Sequence, residues 1–135
     1  MTSVRPEAIR GAGAGAAMAG QVDYRLARNA VVSELRKGRL SRTDVCDAHP
    51  ELLRAAANVG EVTGQDCPVC EEPGLRLVSY AFGPRLPPSG TCVTSRGRLS
   101  RLSRGSRGLT CYVVEVCTSC SWNHLARSFS LGPRS

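Results

Sequence analysis

Two Cys-x-x-Cys pairs, Cys67-Pro68-Val69-Cys70 and Cys117-Thr118-Ser119-Cys120, constrain this chain more than any other feature in it. A tight turn between the two cysteines of a pair aims both sulfurs at one point. Two pairs therefore supply four thiolates for a single tetrahedral ion at about 2.3 Å. One pair alone would suit a redox dithiol equally well. Two pairs in 135 residues point to a zinc-ribbon site, with Cys67, Cys70, Cys117 and Cys120 as the ligands of one structural Zn2+. The redox reading stays open as a rival, although neither pair is followed by the helical pattern that a thioredoxin-type dithiol needs.

Composition explains why such a chain would need a staple. Aromatic residues make up only 4%, against 14 Gly and 8 Pro, so the apolar core is small. A four-thiolate zinc site can contribute about 10–16 kcal/mol to the folded state of a domain of this kind. The seven cysteines are odd in number and clustered, which fits a reducing compartment better than a secreted disulfide framework. No segment approaches the roughly 18 apolar residues of a membrane-spanning helix. The expectation is a cytoplasmic protein without membrane association. Its formal charge is +7, and four deprotonated thiols around one Zn2+ would leave about +5. That balance favours a polyanionic partner, meaning nucleic acid or a nucleoprotein surface.

Along the chain, residues 1–20 are Gly- and Ala-rich without hydrophobic period and are expected to be disordered. Residues 21–60 form a helical region. Val22, Leu26, Val31, Val32 and Leu35 recur at helical spacing over Gln21–Lys37, and Gly38 is a natural stop. A second short helix starts at Ser41, with Asp44 closing a capping box, and carries Val45 and Cys46. A third runs from Pro50 to about Asn58, with Leu52, Leu53, Ala56 and Val59 as its apolar stripe and Gly60 at its end.

The ribbon spans residues 65–131, with strands over Leu75–Phe82, Tyr112–Val116 and Trp122–Leu131. In the last of these Leu125, Phe129 and Leu131 share one face by alternation. The fold class is α+β: short N-terminal helices followed by a zinc-ribbon-like antiparallel sheet. Zinc-ribbon pairs commonly lie about 15–20 residues apart, whereas 46 residues separate Cys70 from Cys117 here. The excess is residues 84–108, a flexible Arg/Pro-rich insertion at the hairpin tip. It contains Arg96, Arg98, Arg101, Arg104 and Arg107 with no acidic residue among them, which makes these five the candidate nucleic-acid contacts, to phosphates rather than bases.

The remaining chemistry-bearing residues read more plainly. His124 could replace one thiolate, but four cysteines make it redundant, and it is expected as a partly exposed strand residue or a donor behind the ligands. Cys46 and Cys111 sit in apolar patterns and are expected as small buried hydrophobes, with Cys92 an exposed thiol. A second metal site from Cys46, His49, Cys92 and Cys111 lacks ligand spacing. Trp122 either packs across the sheet or presents its indole for base stacking. Asp47 and His49 read as helix capping around Pro50. No Ser-His-Asp order, phosphate-binding loop or carboxylate pair stands out, so no enzyme activity and no small-molecule substrate is inferred. The expectation is a binding or adaptor module of a transcription or translation complex. Its alternatives are a protein–protein adaptor without nucleic-acid contact and a Cys-x-x-Cys redox or zinc-release sensor.

Three stretches carry a family resemblance: Val45 to Ala56, Cys67 to Cys70, and Val114 to Leu125 with its Cys-x-x-Cys-Ser-Trp-Asn-His string. Together they resemble an actinobacterial family of short zinc-ribbon-like proteins known only as a domain of unknown function, over roughly residues 21–131. The resemblance implies a small intracellular protein with helices before the ribbon, and no particular activity.

Overall fold

The computed structural model describes residues 16–18, 21–84, 86–88, 90–93 and 108–131. Its elements are β1 (Ala16–Met18), β2 (Gln21–Asp23), α1 (Arg25–Arg36), α2 (Arg42–Val45), α3 (Pro50–Val59), β3 (Glu61–Val62), β4 (Arg76–Phe82), β5 (Thr91–Val93), β6 (Leu109–Val116) and β7 (Asn123–Leu131). The class is α+β, and every strand pairing is antiparallel.

The runs Arg76–Phe82, Leu109–Val116 and Asn123–Leu131 are rich in Val, Tyr, Phe and Leu, residues that fit a pleated, half-buried surface. They form the middle of a sheet ordered β1-β2-β7-β6-β4-β3, with β5 also on β4. Arg76 lies opposite Val116, and Val116 opposite Asn123. This register sets the position of the cysteines. The start of β4, the end of β6 and the start of β7 lie side by side, so the turn before β4 and the turn between β6 and β7 emerge at the same end of the sheet.

One face of the sheet carries Val78 and Tyr80 of β4, Val114 and Val116 of β6 and Leu125 of β7, all buried. Against them pack Leu52 and Ala56 from α3, together with Tyr24. Burying a Leu or Val side chain is worth about 1.5–3 kcal/mol, so this cluster is the principal apolar core. A second cluster surrounds the cysteine turns, formed by Val32 of α1, Val45 of α2, Leu75, Trp122, Cys67 and Cys117. The helices are too short to persist alone and are held by these two clusters.

The local capping chemistry follows the sequence. The Asp44 carboxylate accepts from the Ser41 amide at 2.8 Å and completes a capping box at α2. Pro50 opens α3, while His49 Nδ1 accepts from the Glu51 amide at 3.0 Å. Gly38 follows α1 with φ +78°. Gly60 ends α3 for a different reason: a Cβ there would lie 2.4 Å from the Ala56 carbonyl oxygen.

Several expectations are corrected. Gln21–Asp23 is a strand paired with β7 rather than the first turn of a helix, because Asp23 Oδ1 accepts from the Arg25 amide at 2.8 Å and starts α1 only there. Within the N-terminal 20 residues, Ala16–Met18 pair with β2 instead of lying free. The insertion is not without order, since Thr91–Val93 form β5 and Cys92 is half-buried against the principal core. Arg96, Arg98, Arg101, Arg104 and Arg107 lie outside the described residues. Finally, the register shifts between Val113 and Val114, which lie opposite Arg127 and Leu125 respectively, so Ala126 is an extra residue. This bulge puts Leu125 with the helix-side core and moves Phe129, opposite Cys111, to the other face. The bulged Ala126 carbonyl accepts from the Tyr24 amide at 3.1 Å, anchoring the start of α1.

Candidate metal centre

Both cysteine pairs sit on turns of the same construction. In the first, the Glu71 amide donates to the Cys67 carbonyl at 3.0 Å and the Cys67 amide to the Glu72 carbonyl at 2.9 Å. In the second, Ser121 donates to the Cys117 carbonyl at 3.0 Å and Cys117 to the Trp122 carbonyl at 2.9 Å. Each turn closes through a left-handed residue immediately after its second cysteine, Glu71 at φ +65° and Ser121 at φ +74°. Neither is glycine, so each turn stores strain of about 1–2 kcal/mol that the assembled site must offset. The turns also free amide N–H groups to point at sulfur, as Val69 does toward Cys67 at 3.4 Å.

The sulfurs of Cys67, Cys70, Cys117 and Cys120 all lie within 4.8 Å of one another. Cys67 Sγ is 3.6 Å from Cys120 Sγ, and Cys70 Sγ is 3.6 Å from Cys117 Sγ. Four sulfurs at about 2.3 Å from a common centre stand about 3.8 Å apart at the edges of a tetrahedron. The donor set therefore fits one tetrahedral, thiophilic metal ion with little movement. Cys67 and Cys117 are buried, and Cys70 and Cys120 are half-buried.

The electrostatics of the thiols are set mainly by burial and by the amides of the turns. Burial pushes the Cys67 thiol up to about 11, against amide N–H groups that favour its thiolate. Burial raises Cys120 further, and the neighbouring Cys46 and Cys67 thiols add to it. Burial opposes ionisation of Cys117 too, but the amides of Cys120 and Ser119 and the thiols of Cys70 and Cys67 outweigh it and bring that group down. Burial thus works against the thiolates of Cys67 and Cys120, and a divalent cation bound there would supply the compensation that ionising them needs.

The residues around the site fall into place differently. Trp122 is fully buried in the second cluster and stacks on His124 with ring centroids 6.0 Å apart. Its indole face is packing surface and does not reach solvent to stack on a base. His124 is buried as well, rather than partly exposed, with Nδ1 2.8 Å from the Leu125 carbonyl oxygen, and it is not in the four-sulfur set. Cys111 is buried, as expected, and burial pushes its thiol up to about 11, the state of an inert small hydrophobe. The buried carboxylate of Glu115 lies next to His124 in β6 and β7 register order and takes Arg28 Nε at 2.5 Å and Arg28 Nη2 at 3.4 Å. That ion pair ties α1 to the sheet.

Sequence reasoning missed Cys46. It is not merely a small hydrophobe, because its Sγ lies 3.4 Å from Cys120 Sγ. The segment that carries it is docked on the second turn: the Ala48 amide donates to the Ser121 carbonyl at 3.0 Å, and Asn123 Nδ2 donates to Asp47 Oδ1 at 3.1 Å. Three cysteines, Cys46, Cys92 and Cys111, are left after the two pairs, and that surplus was the signal available. Nothing local says that a residue 74 positions away comes to rest against the site.

Among proteins of known sequence, the chain is similar to uncharacterised proteins of Mycobacterium tuberculosis (strain H37Rv) and Mycobacterium bovis. Each is 42% identical over 112 residues, covering 82% of this chain and 81% of the relative. No solved structure matches it. Residues 17–135 match the model of a family of unknown function, DUF5318. That span contains both cysteine turns, and the chain therefore belongs to this family.

Proposed function

We propose that the centre holds one structural Zn2+ and that the chain is a non-catalytic binding module of the cytoplasm. The observation that carries the reading is the four-sulfur set, brought within 4.8 Å from two turns at one end of the sheet. Four thiolates select soft, tetrahedral Zn2+ over oxygen-loving Mg2+ or Ca2+. They also fill every coordination position, leaving none for the water or substrate that a catalytic zinc keeps. The core is small enough that the ion would supply a large share of the folding energy. Metal analysis tests this: the expected result is one zinc per purified chain, and metal-free protein with intact structure would refute it.

For the partner, the +7 charge supports nucleic acid or a nucleoprotein complex. If about four of the arginines at 96, 98, 101, 104 and 107 engage phosphates, binding to single-stranded RNA or duplex DNA falls with a log–log salt slope of about −3 to −4. A protein partner is the second reading, favoured by the exposure of Leu26, Val59 and Val62 at 77%, 43% and 60%. Val59 and Val62 stand at the junction of α3 and β3. Pull-down with and without nuclease separates the two, because a protein partner survives digestion.

A further inference from the structure

Five thiols converge on this centre, and a tetrahedral ion uses four. The fifth, Cys46, is half-buried at the C-terminal end of α2, and its S–H is directed at Cys120 Sγ across 3.4 Å. Two further bonds keep it there: the Ala48 amide on the Ser121 carbonyl and Asn123 Nδ2 on Asp47 Oδ1. Both hold the segment following Cys46 against the turn that carries Cys120. The contact is therefore part of how α2 and α3 are joined to the sheet. Cys120 is itself half-buried, so the pair is within reach of small solutes.

We propose that Cys46 is the resolving thiol of the metal centre. While the ion is held, its S–H donates to the Cys120 sulfur; when a peroxide arrives, it takes Cys120 into a disulfide and the ion is released. The inference rests on the zinc reading above. In the first step the Cys120 thiolate attacks one oxygen of hydrogen peroxide: an S–O bond forms, the O–O bond breaks, and hydroxide leaves, giving a sulfenic acid on Cys120. In the second, Cys46 sulfur attacks the Cys120 sulfur: the S–S bond forms, the S–O bond breaks, and the departing oxygen leaves as water with the Cys46 proton. Two electrons pass from the two sulfurs to the peroxide, which ends as one water and one hydroxide. An S–S bond is about 2.05 Å, so the sulfurs must close by a little over 1 Å. Cys120 in a disulfide no longer offers a thiolate, and the three that remain hold the ion more weakly.

The ligand pairs Cys67 with Cys120 and Cys70 with Cys117 also stand 3.6 Å apart and are the competing disulfides. Each would remove two ligands at once, whereas a Cys46–Cys120 disulfide removes one. Using Cys46 also leaves Cys67, Cys70 and Cys117 reduced, so a dithiol reductant returns the complete four-thiolate set in one exchange.

The test uses the full-length reduced protein with its zinc content measured first, which decides the zinc reading independently. Stoichiometric hydrogen peroxide is then added, zinc release is followed with a chromogenic chelator, and disulfides are mapped by peptide mass spectrometry. The expected product is a Cys46–Cys120 crosslink that dithiothreitol reverses with recovery of zinc binding. Cys46→Ser and Cys46→Ala, checked for native circular dichroism and zinc content, should release zinc at least about fivefold more slowly. A crosslink between two ligands, no crosslink, or equal release rates in wild type and both variants would overturn the proposal.

Discussion

The ligand cysteines and the left-handed residues that follow them act together, because the strain of each turn is offset by the site its sulfurs assemble. Cys117→Ser should abolish stoichiometric zinc and unfold the ribbon, since a hydroxyl is a poor ligand for Zn2+ and the remaining three thiols lose their closed geometry. Zinc analysis and far-UV circular dichroism of the variant check this. At Ser121, φ is +74°, so Gly relieves strain while keeping the carbonyl that receives Ala48. Ser121→Gly should be neutral or stabilise by up to about 1 kcal/mol. Ser121→Val, with a branched Cβ in a conformation it rarely adopts, should cost about 1–3 kcal/mol. Urea midpoints of the two zinc-loaded variants, moving in opposite directions or differing by at least that cost, are the expected outcome.

The joins between elements rest on a few buried polar contacts as much as on apolar area. Glu115 is 6% exposed and its carboxylate is taken by Arg28 of α1. Removing the guanidinium leaves a buried carboxylate without its cation. Arg28→Ala should therefore lower stability by about 2–4 kcal/mol, less than for a fully buried pair because Arg28 keeps some solvent. Denaturant titration of the zinc-loaded protein checks it. At this scale the sequence was legible where structure is local. The ligand spacing, the Ser41–Asp44 box, Pro50 at the start of α3 and the three long strands are all written in short windows. It was illegible where a contact from elsewhere decides. Val22 lies at helical spacing from Leu26, yet Gln21–Asp23 pairs with β7. Alternation puts Leu125 and Phe129 together, yet one bulged residue separates them. Thr91–Val93 is too short to stand out among prolines and glycines and is a strand only because β4 offers it an edge. Cys46 looked like any small apolar residue until the α2–α3 link was seen against Ser121 and Asn123.

At the scale of the whole molecule, the ion would join the second apolar cluster to the sheet, so its removal should be felt well beyond the four sulfurs. Treatment with a strong chelator should lower the melting temperature by tens of degrees or unfold the chain, given about 10–16 kcal/mol of apparent binding energy. Calorimetric melting with and without the chelator checks it. Refilling at neutral pH should release at least two protons, one each from Cys67 and Cys120, whose thiols are held above their usual range. The affinity for zinc accordingly rises with pH and falls in acid. Titration calorimetry in two buffers of different ionisation enthalpy counts those protons. The pairing of Arg76 with Val116 has one more consequence. A slip of β4 along β6 by one residue would turn its apolar side chains to the wrong face, but a slip of two would preserve the faces and go unpunished by the core. Two residues are about 6.6 Å of strand, more than the 4.8 Å within which the four sulfurs now lie. A misaligned sheet of that kind could not close the tetrahedron. An ion held there would thus serve as a gauge of alignment, rewarding the one pairing that hydrophobic patterning alone does not single out.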